Sequence, residues 1–485
     1  MITEATITAI VAVAALVGDF TIRVLSIILI PKNRRPQTAL AWLLAIFFIP
    51  YLGIGLFLLV GTFRLPKKRR EKQTEINRFI LETMEGAELV AEEESWPNWL
   101  SPIVELNRTL GAMPMVGGNS STLYHANAAS LAAMTEEIGR ARTIVHVEFY
   151  ILALDVTTQP FFDALETAVK RGVTVRVVLD HLGTFQYKGF RPAKRALTRM
   201  GAHWHLMLPF QPLRRRIQRP DLRNHRKLLI VDGEVAFTGS QNVIDPGYEK
   251  RGRRGLQWKD LMVRFEGPVV AEIDALFITD WYVETEELLT RETPPLRRNG
   301  PGALDCQVVP SGPGFPGENN LRLFNSLVYA AQKKTILVSP YFVPDDSMLY
   351  AITTAAQSGL EVQLFVSEIG DQFFAHHAQR SYYEALLRAG VRIFQFESPT
   401  ILHAKHFTID EQVSVIGSSN MDMRSFSLDF EISVMIWGGV FLQRLRTIED
   451  DYREHSRELT LDEWLARPRL SRAFDNVARL TAAVQ

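Results

Sequence analysis

The chain has 485 residues, 47% of them hydrophobic and 22% charged, which predicts a folded protein of two or three domains rather than a disordered chain. Lys plus Arg and Asp plus Glu balance at 54 each, and this balance argues against a protein that coats nucleic acid with positive charge. A single cysteine, Cys306, excludes an internal disulfide framework and a cysteine-rich zinc module.

Two apolar runs, Ile7–Ile30 and Thr38–Gly61, open the chain. About 20 helical residues cross a bilayer core, so residues 1–63 are predicted to form a transmembrane hairpin of two helices. Asp19 and Arg23 lie in the first run at helical spacing, where they can form an ion pair. The alternative, a cleaved signal peptide, fits poorly because the run is long, lacks a basic start and is followed at once by another.

Basic residues near the ends of these runs indicate an orientation. The connector between the runs carries three of them, and the stretch after the second run carries six: Arg64, Lys67, Lys68, Arg69, Arg70 and Lys72. Because Lys and Arg are enriched on the cytoplasmic side of membranes, the larger cluster predicts that the rest of the chain lies in the cytoplasm. Residues 64–110 are predicted to form a basic and amphipathic linker on the membrane surface.

The remainder of the chain is an internal repeat, with one copy in residues 111–293 and the other in residues 294–485. The strand-like run Thr143–Ile151 in the first copy corresponds to Thr335–Val343 in the second, and each is followed by a helical stretch and a second apolar strand. This order predicts an α/β fold with two similar lobes, the second ending in C-terminal helices. The Pro- and Gly-rich segment Pro294–Gly317 is predicted to join them.

Each copy carries the same polar motif near its end. The first copy consists of His225, Lys227, Asp232, Gly239, Ser240 and Asn242, and the second of His403, Lys405, Asp410, Gly417, Ser418 and Asn420. In both copies the lysine lies two residues, the aspartate seven, the glycine fourteen and the asparagine seventeen after the histidine. A lone His-x-Lys is background, and a lone histidine on a strand is more often a satisfied polar residue than a catalyst. The doubled spacing indicates a functional site.

The residue types of this motif suit chemistry on a phosphate group. On a strand, residues two apart point from one face, so the imidazole and the ammonium reach the same pocket. The Gly-Ser-x-Asn turn supplies hydroxyl, amide and backbone donors for phosphate oxygens, and an aspartate can hold an imidazole in one orientation. Two histidines allow one to attack phosphorus and the other to protonate the departing oxygen. A metal site is the rival interpretation, but a lysine beside each histidine repels a cation.

The motif resembles that of the phospholipase D superfamily, His-x-Lys-x4-Asp, over residues 120–440. With the two apolar runs, the chain is most similar to the bacterial cardiolipin synthases. Further similar elements are Trp258-Lys259-Asp260, Ser311-Gly312-Pro313 and Pro340-Tyr341-Phe342. Glu431, eleven residues after Asn420, stands where the superfamily often carries an acidic residue. The first copy has no acid at that spacing, since Asp260 lies eighteen residues after Asn242.

The resemblance implies metal-independent transfer of a phosphatidyl group between two phosphatidylglycerol molecules, giving cardiolipin and glycerol through a phosphatidyl-histidine intermediate, at the bacterial inner membrane. It implies His225 as nucleophile and His403 as acid and later base, with Asp232 and Asp410 orienting a histidine. The two lysines, Asn242 and Asn420 would hold the phosphate oxygens, and the substrate-binding residues would be Ser240, Asn242, Ser418, Asn420 and Glu431. No cofactor, metal or nucleic-acid partner is expected, and a homo-oligomer is compatible with the sequence.

Two secondary features remain open. Arg214, Arg215, Arg216, Arg219, Arg223 and Arg226 form a basic stretch before the first motif, which either attracts anionic headgroups or is a solvated loop. The C-terminal segment carries an apolar stripe of Leu470, Phe474, Val477 and Leu480, which predicts a helix packed on the core, with a membrane-bound helix as the alternative.

Other functions stay open at this point. A phospholipase D, or a phosphatidyltransferase with water or another alcohol as acceptor, would use the same motif. A lipid-binding scaffold with a degenerate motif is the non-enzymatic alternative, and the completeness of both copies argues against it.

Overall fold

The computed structural model of the protein describes residues 4–32, 34, 36–61, 69–76, 96–211, 216–217, 219–247, 255–289, 302–315 and 317–480. Several sequence predictions fall outside these ranges: those on Arg35, Arg64, Lys67 and Lys68, on residues 77–95 of the linker, on Arg214 and Arg215, and on residues 290–301 at the boundary between the lobes.

The N-terminal part of the chain forms a compact unit of its own. Its described helices are α1 (Glu4–Leu29), α2 (Pro36–Phe48) and α3 (Pro50–Val60). Within α1, Thr6–Leu29 is the one stretch among the described residues that is long and apolar enough to cross a bilayer as a single helix. The predicted ion pair of Asp19 and Arg23 is confirmed, with 3.1 Å between Oδ2 and Nη2.

The second apolar run is not one helix, so the prediction of a two-helix hairpin is wrong in this respect. Ile49 leaves the helical region at φ −137° and ψ 74°, and Pro50, which has no N–H to donate, begins α3. The chain then turns back on itself: the rings of Trp42 and Phe57 lie 5.5 Å apart, whereas a straight helix would separate them by roughly 22 Å. A Cβ at Gly53 would lie 2.8 Å from Ala45 O, so this close return requires glycine.

The two short helices therefore cannot each cross a bilayer. They contain 13 and 11 residues, or roughly 20 and 17 Å at the helical rise, against a hydrocarbon core of roughly 30 Å. The turn between them lies beside the middle of α1, because the hydroxyl of Tyr51 donates to Ala15 O at 3.2 Å. A cluster of Ile30, Ala39, Ile46 and Phe57 packs the three helices together.

Most of the remaining chain forms a second compact unit, which contains both repeats. The first repeat, lobe 1, comprises residues 111–289 of the described chain and is preceded by α4 (69–76) and α5 (Leu100–Gly111). Its helices are α6 (Asn127–Arg140), α7 (Gln159–Lys170), α8 (His181–Phe185), α9 (Phe190–Met200) and α10 (Val269–Thr285). Its strands are β1 (Val116–Tyr124), β2 (Ile144–Phe149), β3 (Thr174–Asp180), β4 (His203–Met207), β5 (Phe210–Gln211), β6 (Arg216–Ile217), β7 (Arg223–Asn224), β8 (Lys227–Val231), β9 (Val235–Gly239), β10 (Gln257–Lys259) and β11 (Met262–Glu266).

Lobe 2 comprises the described residues from 302 onwards. Its strands are β12 (Leu304–Ser311), β13 (Lys334–Val338), β14 (Phe342–Val343), β15 (Glu361–Ser367), β16 (Arg392–Phe396), β17 (Thr400–Leu402), β18 (His406–Ile409), β19 (Val413–Gly417), β20 (Met421–Asp422), β21 (Asp429–Trp437) and β22 (Ser456–Leu459). Its helices are α11 (Asn319–Ala330), α12 (Asp346–Gln357), α13 (Phe373–Arg380), α14 (Tyr383–Ala389), α15 (Met423–Ser427), α16 (Gly439–Glu454), α17 (Leu461–Leu465) and α18 (Arg469–Arg479).

The two lobes share one strand order, which confirms the internal repeat and the α/β fold. Lobe 1 runs β4-β3-β2-β8-β9-β11-β1, and lobe 2 runs β16-β15-β13-β18-β19-β21-β12, with β22 added at its edge. The parallel strands β2, β3 and β4, like β13, β15 and β16, are linked by helices, as right-handed crossovers require. Strands β1 and β12 pair antiparallel and join the two sheets, with Val116 opposite Cys306.

The register of the sheet places each motif at the carboxyl end of a buried parallel strand. β8 runs antiparallel to β2 with Lys227 opposite Phe149, and β18 runs antiparallel to β13 with His406 opposite Val338. Both β2 and β8 are buried along their whole length. Apolar side chains pack on both faces of β8, whereas one face of β2 carries the buried polar residues His146 and Glu148. The histidine that precedes each central antiparallel strand therefore stands at the edge of a rigid sheet.

The prediction that the C-terminal apolar stripe packs on the core is wrong. Helix α18 instead buries Asp475 and Ala478, and leaves the stripe of Leu470, Phe474 and Val477 exposed. An amphipathic pattern fixes which residues share a helix face, but not what covers that face.

Candidate active site

Each motif histidine is held by the backbone of the opposite lobe. The N–H of His225 donates to Phe430 O at 2.9 Å, and the N–H of His403 donates to Lys259 O at 2.8 Å. Two short parallel pairings extend these contacts: β7 pairs with β21, and β10 pairs with β17. The two histidines thus occupy one site at the junction of the lobes, and each depends on the other lobe for its position.

The carboxylates that hold the histidines also come from the opposite lobe. Nδ1 of His225 lies 2.9 Å from Oε1 of Glu431, and Nδ1 of His403 lies 2.7 Å from Oδ1 of Asp260. Both carboxylates are fully buried. A carboxylate on Nδ1 fixes the tautomer and the orientation of an imidazole, and leaves the chemistry to Nε2.

The two serines of the motif donate hydrogen bonds to these carboxylates in the structure. Ser240 Oγ donates to Oδ1 of Asp260 at 2.8 Å, and Ser418 Oγ donates to Oε2 of Glu431. Each lobe therefore builds a serine–carboxylate pair that receives the histidine of the other lobe. In the structure Ser240, Ser418 and Glu431 take part in this orienting arrangement, and their binding of substrate stays a prediction.

The motif aspartates do not reach either histidine, contrary to the sequence-based expectation. Asp232 follows β8 at φ 52°, and its Oδ1 accepts the backbone N–H groups of Thr143 at 2.8 Å and Ile144 at 3.0 Å. Asp410 follows β18 at φ 48° and accepts the N–H groups of Lys333 and Lys334 in the same way. The carboxylates satisfy donors at the start of the neighbouring strand, at the far end of the strand from the histidine.

The two lysines and two asparagines are buried at the site. Lys405 Nζ donates to the carbonyl of His403 at 2.7 Å, and Lys227 Nζ donates likewise to the carbonyl of His225. Asn242 Oδ1 accepts the N–H of Ile151 at 3.1 Å. Asn420 is buried, and its Oδ1 accepts no hydrogen bond from any part of the chain that the structure describes.

Burial and charge shift the pKa values of these groups in ways that matter for chemistry. Burial, with the charges of Lys227 and Lys405, lowers the pKa of His225 well below its usual range. Burial and Lys405 also lower the pKa of His403, but Asp260 opposes that shift. Burial lowers the pKa of Lys227 to about 7 and that of Lys405 to about 8.

The pKa values of Asp260 and Glu431 are shifted in opposite directions. Burial alone would raise the pKa of Asp260, but His403, Lys405 and the hydrogen bond from Ser240 outweigh it and lower the pKa to about 2. Burial raises the pKa of Glu431 and is only partly offset by Lys227 and Ser418. The carboxylate beside His403 is therefore held ionised, whereas burial shifts the carboxylate beside His225 towards its neutral form.

Other residues line the site without having been predicted there. The ring of Tyr150 meets that of His225 edge-on at 4.9 Å, and Lys227 Nζ lies 5.5 Å from its centroid. Asp422 caps α15, and burial raises its pKa to about 7. Tyr150 is the second-last residue of the strand-like run Thr143–Ile151, so the sequence indicated its position near the strand end but not its contact with His225.

Part of the predicted basic patch is structural. Arg226 is buried and pairs with Asp280, and Arg223 is buried with its Nη1 at 3.2 Å from Asp180 Oδ1. Neither guanidinium is on a solvated surface that attracts headgroups. Within the described ranges, no group of three or more His, Cys, Asp or Glu side chains is placed to hold a metal ion.

Comparison with known proteins decides the family. A model of the "Cardiolipin synthase, PLD-like domain" matches residues 134–281 and 325–451, which are the two lobes. The chain is 34% identical to cardiolipin synthase A of Proteus mirabilis over 472 residues, 95% of each chain. The chain belongs to the phospholipase D-like cardiolipin synthase family.

Further matches cover the N-terminal helices and the fold of the lobes. Residues 21–61 match a "Phospholipase_D-nuclease N-terminal" model. Cardiolipin synthase A of Serratia proteamaculans is 35% identical over 93% of each chain. The crystal structure of phosphatidylserine synthase from Haemophilus influenzae covers 79% of this chain and 100% of its own, with a TM-score of 0.59 at 14% identity. This last likeness shows that members of the cardiolipin synthase family and that enzyme share a fold.

Proposed function

We propose that the protein is a cardiolipin synthase that transfers the phosphatidyl group of one phosphatidylglycerol to the terminal hydroxyl of another, giving cardiolipin and glycerol. The observation that carries this proposal is the pair of crossed histidine–carboxylate contacts, His225 with Glu431 and His403 with Asp260. They put two oriented imidazoles and two lysines in one site, as a two-step displacement at phosphorus requires. The similarity to two cardiolipin synthases A supports cardiolipin as the product.

In the first step, Nε2 of His225 attacks the phosphorus of phosphatidylglycerol. A P–N bond forms while the bond from phosphorus to the glycerol oxygen breaks, and His403 gives its proton to that oxygen. Glycerol leaves, and the phosphatidyl group stays on His225. The strongly lowered pKa of His225 keeps this ring neutral, as a nucleophile must be.

In the second step, neutral His403 takes the proton from the primary hydroxyl of a second phosphatidylglycerol. The hydroxyl oxygen attacks phosphorus, the P–N bond breaks, and cardiolipin leaves with both histidines restored. Ionised Asp260 stabilises the imidazolium form of His403, which is present before the first step and is formed again in the second. This division of roles follows the unequal carboxylates and not the motif, which is the same in both lobes.

The two lysines hold the phosphate. Burial accounts for most of the lowering of their pKa values, to about 7 for Lys227 and about 8 for Lys405. A phosphodiester replaces the lost hydration with a negative charge, so its arrival raises the pKa values of both lysines and of His403. Substrate binding thus protonates the general acid. Asn242 and Asn420 complete the phosphate pocket through their amide groups.

We further propose that α1 crosses the cytoplasmic membrane once and that α2 and α3 enter and leave it on one side. The return of α3 along α2 brings the first residues of α2, which follow the connector in sequence, and the last residues of α3, which precede the next stretch, to the same side. Both stretches are basic, so the positive-inside rule places both in the cytoplasm together with the lobes. Under a two-span hairpin, one basic stretch would lie outside.

Cysteine labelling in intact and permeabilised cells tests this topology. A Thr3→Cys variant should react with a membrane-impermeant maleimide from outside, whereas a Lys32→Cys variant should react only after permeabilisation. The reverse pattern would restore the two-span hairpin. The natural Cys306 is buried, and the unsubstituted protein measures its background.

Thin-layer chromatography of purified protein with labelled phosphatidylglycerol tests the activity. Cardiolipin and free glycerol are expected, and a His225→Ala variant should form neither. A His203→Ala variant is the matched control, because this histidine is exposed on β4. Phosphatidic acid alone would identify a hydrolase, and binding without turnover would leave a scaffold.

A further inference from the structure

An exposed apolar patch lies on lobe 2, on two helices that pack against each other. We define the apolar patch as Phe373, Phe374, Leu470, Phe474, Val477 and Leu480. The exposed fractions of Leu470, Val477 and Leu480 are 86%, 61% and 83%. The rings of Phe373 on α13 and Phe474 on α18 lie 5.6 Å apart, so the two helices present one continuous surface. A soluble surface rarely exposes so many large apolar side chains side by side.

The patch is held rigidly from beneath. Asp475, on the buried side of α18, accepts from Nδ1 of His377 on α13 at 2.7 Å and from Nη1 of Arg467 at 2.9 Å. These contacts fix the rotation of α18 about its axis, so that its apolar residues face away from the lobe. Arg472 and Arg479 lie on the same side of α18 as Asp475, and Arg479 Cζ lies 4.4 Å from the ring centroid of Tyr382, so the charged residues flank the contact with the lobe and the apolar residues form the outer face.

A basic cavity opens beside the patch. Its volume is about 310 Å³, and its lining includes Arg380, Arg467, Arg469 and Arg472. Two carboxylates also line it: Asp475 pairs with Arg380 and Arg467 of the cavity, and Glu384 pairs with Arg388 outside it, which leaves Arg469 and Arg472 as additional cations. The cavity thus has an excess of positive charge next to an apolar surface. Anionic phospholipid, with a charged headgroup and an apolar chain region, complements both.

The patch also lies on the active-site side of lobe 2. Helix α13 follows β15, whose carboxyl end lies at the same edge as that of β13, where His403 stands. The loop between β15 and α13 carries Asp371, which accepts from the Tyr341 hydroxyl and whose charge acts on Lys405. Phe373 is two residues farther along the chain, so the patch borders the approach to the site.

We propose that α13 and α18 form a second membrane contact, in which the apolar patch inserts into an anionic phospholipid bilayer and the arginine cavity receives a lipid headgroup. This contact is distinct from α1 and would hold the site edge of lobe 2 against the bilayer. The inference rests on the proposed function only for its purpose, because docking needs no turnover. An interfacial helix of this kind buries its apolar face by roughly 5–10 Å.

The full-length protein in nanodiscs tests this contact. An environment-sensitive fluorophore on Leu470→Cys should shift its emission to the blue in phosphatidylglycerol discs and be quenched by nitroxides on the acyl chains. The same label on Gln357→Cys, exposed at the far end of α12, should stay in water. An Arg469→Glu and Arg472→Glu pair should reduce docking by about tenfold or more, since each reversal near an anionic surface removes attraction and adds repulsion. Arg195→Glu, an exposed reversal on α9, should not.

Each other outcome overturns part or all of the proposal. Equal shifts in phosphatidylglycerol and phosphatidylcholine discs would remove the headgroup role of the cavity. A blue shift without quenching would show that a second copy or another protein covers the patch. A label that stays in water while cardiolipin forms would overturn docking and leave the proposed function intact. Docking without formation of cardiolipin would support the membrane contact and overturn the proposed function.

Discussion

Lobe 1 and lobe 2 carry the same motif on the same strand, yet they give their histidines unequal surroundings. Lobe 1 supplies Asp260 to His403, and lobe 2 supplies Glu431 to His225. The pKa of Asp260 is lowered to about 2, whereas the pKa of Glu431 is raised. A repeat in sequence is therefore not a repeat in chemistry. Burial and the nearby lysines lower the pKa of both rings, and Asp260 opposes that shift at His403, as Asp429 does at His225.

Substitution of the two crossed carboxylates, Asp260 and Glu431, is expected to have the largest effect on catalysis. Asp260→Asn and Glu431→Gln should each lower kcat by about 10³ to 10⁴, as expected when the group orienting a catalytic histidine is removed. They should differ in pH dependence. Loss of the Asp260 charge lowers the pKa of His403, so His403 loses its proton at a lower pH. The basic limb of the profile of kcat against pH therefore moves to lower pH. Glu431→Gln should leave that limb in place.

Asp274→Asn is the matched control for these variants. Asp274 lies 2.7 Å from Nδ1 of His146 in another buried histidine–carboxylate pair, away from the motif. This variant should lower the melting temperature without moving the pH profile. A shift of the basic limb in Glu431→Gln instead of Asp260→Asn would reverse the assignment of acid and nucleophile.

The lysines should show the next largest effect. Lys227→Met and Lys405→Met should each reduce kcat by about 10² to 10³, the usual loss for one preorganised donor to a developing oxyanion. Because both lysines depress the pKa of His225, the acidic limb set by its protonation should move to higher pH in both variants. Steady-state rates across pH measure this, and Lys194→Met on α9 is the control. An unmoved acidic limb would contradict the electrostatic account.

The motif aspartates should show the smallest effect on catalysis. Asp232→Asn and Asp410→Asn lose charged acceptors for backbone N–H groups, with an expected cost of about 1–3 kcal/mol in stability. Once folded, both variants should keep kcat within about threefold, because neither carboxylate touches a histidine. Melting temperature and kcat on the same samples separate the two effects. A large loss of kcat without loss of stability would return these residues to the active site.

The pH dependence of stability follows the same logic. Hydrogen bonds from backbone N–H groups outweigh burial and lower the pKa of Asp232 in the folded protein. A depressed carboxyl pKa contributes stability above the unfolded value near 4, and this contribution is lost as the pH falls through the folded value. Asp232→Asn should therefore reduce the difference in melting temperature between pH 6 and acidic pH.

The sequence predicted the lobes, the strand positions and the pairing of each histidine with a lysine, because all of these are local or repeated patterns. It could not predict the crossed carboxylates. Glu431 lies 206 residues from His225 and Asp260 lies 143 residues from His403, and only the docking of the lobes brings them together. The motif and the family resemblance pointed to Asp232 and Asp410 as residues that orient a histidine, but the turn at each strand end uses those carboxylates.

Hydropathy alone did not predict how the N-terminal helices are arranged or what surrounds α18. An apolar run reports its composition, and it did not reveal that the break at Pro50 reverses the chain direction. The stripe on α18 shows which residues share a face, but the same stripe serves a core and a bilayer. In both cases the deciding contacts, Trp42 with Phe57 and His377 with Asp475, are between helices.

The most direct test of the account uses a substrate whose leaving group needs no proton, a phosphatidyl ester of 4-nitrophenol. Rapid-quench measurement with His403→Ala should show a burst of nitrophenolate equal to the enzyme concentration, with the phosphatidyl group left on His225, because only the acid is missing. His225→Ala should show no burst. A burst from His225→Ala and none from His403→Ala would contradict the assignment of His225 as the nucleophile.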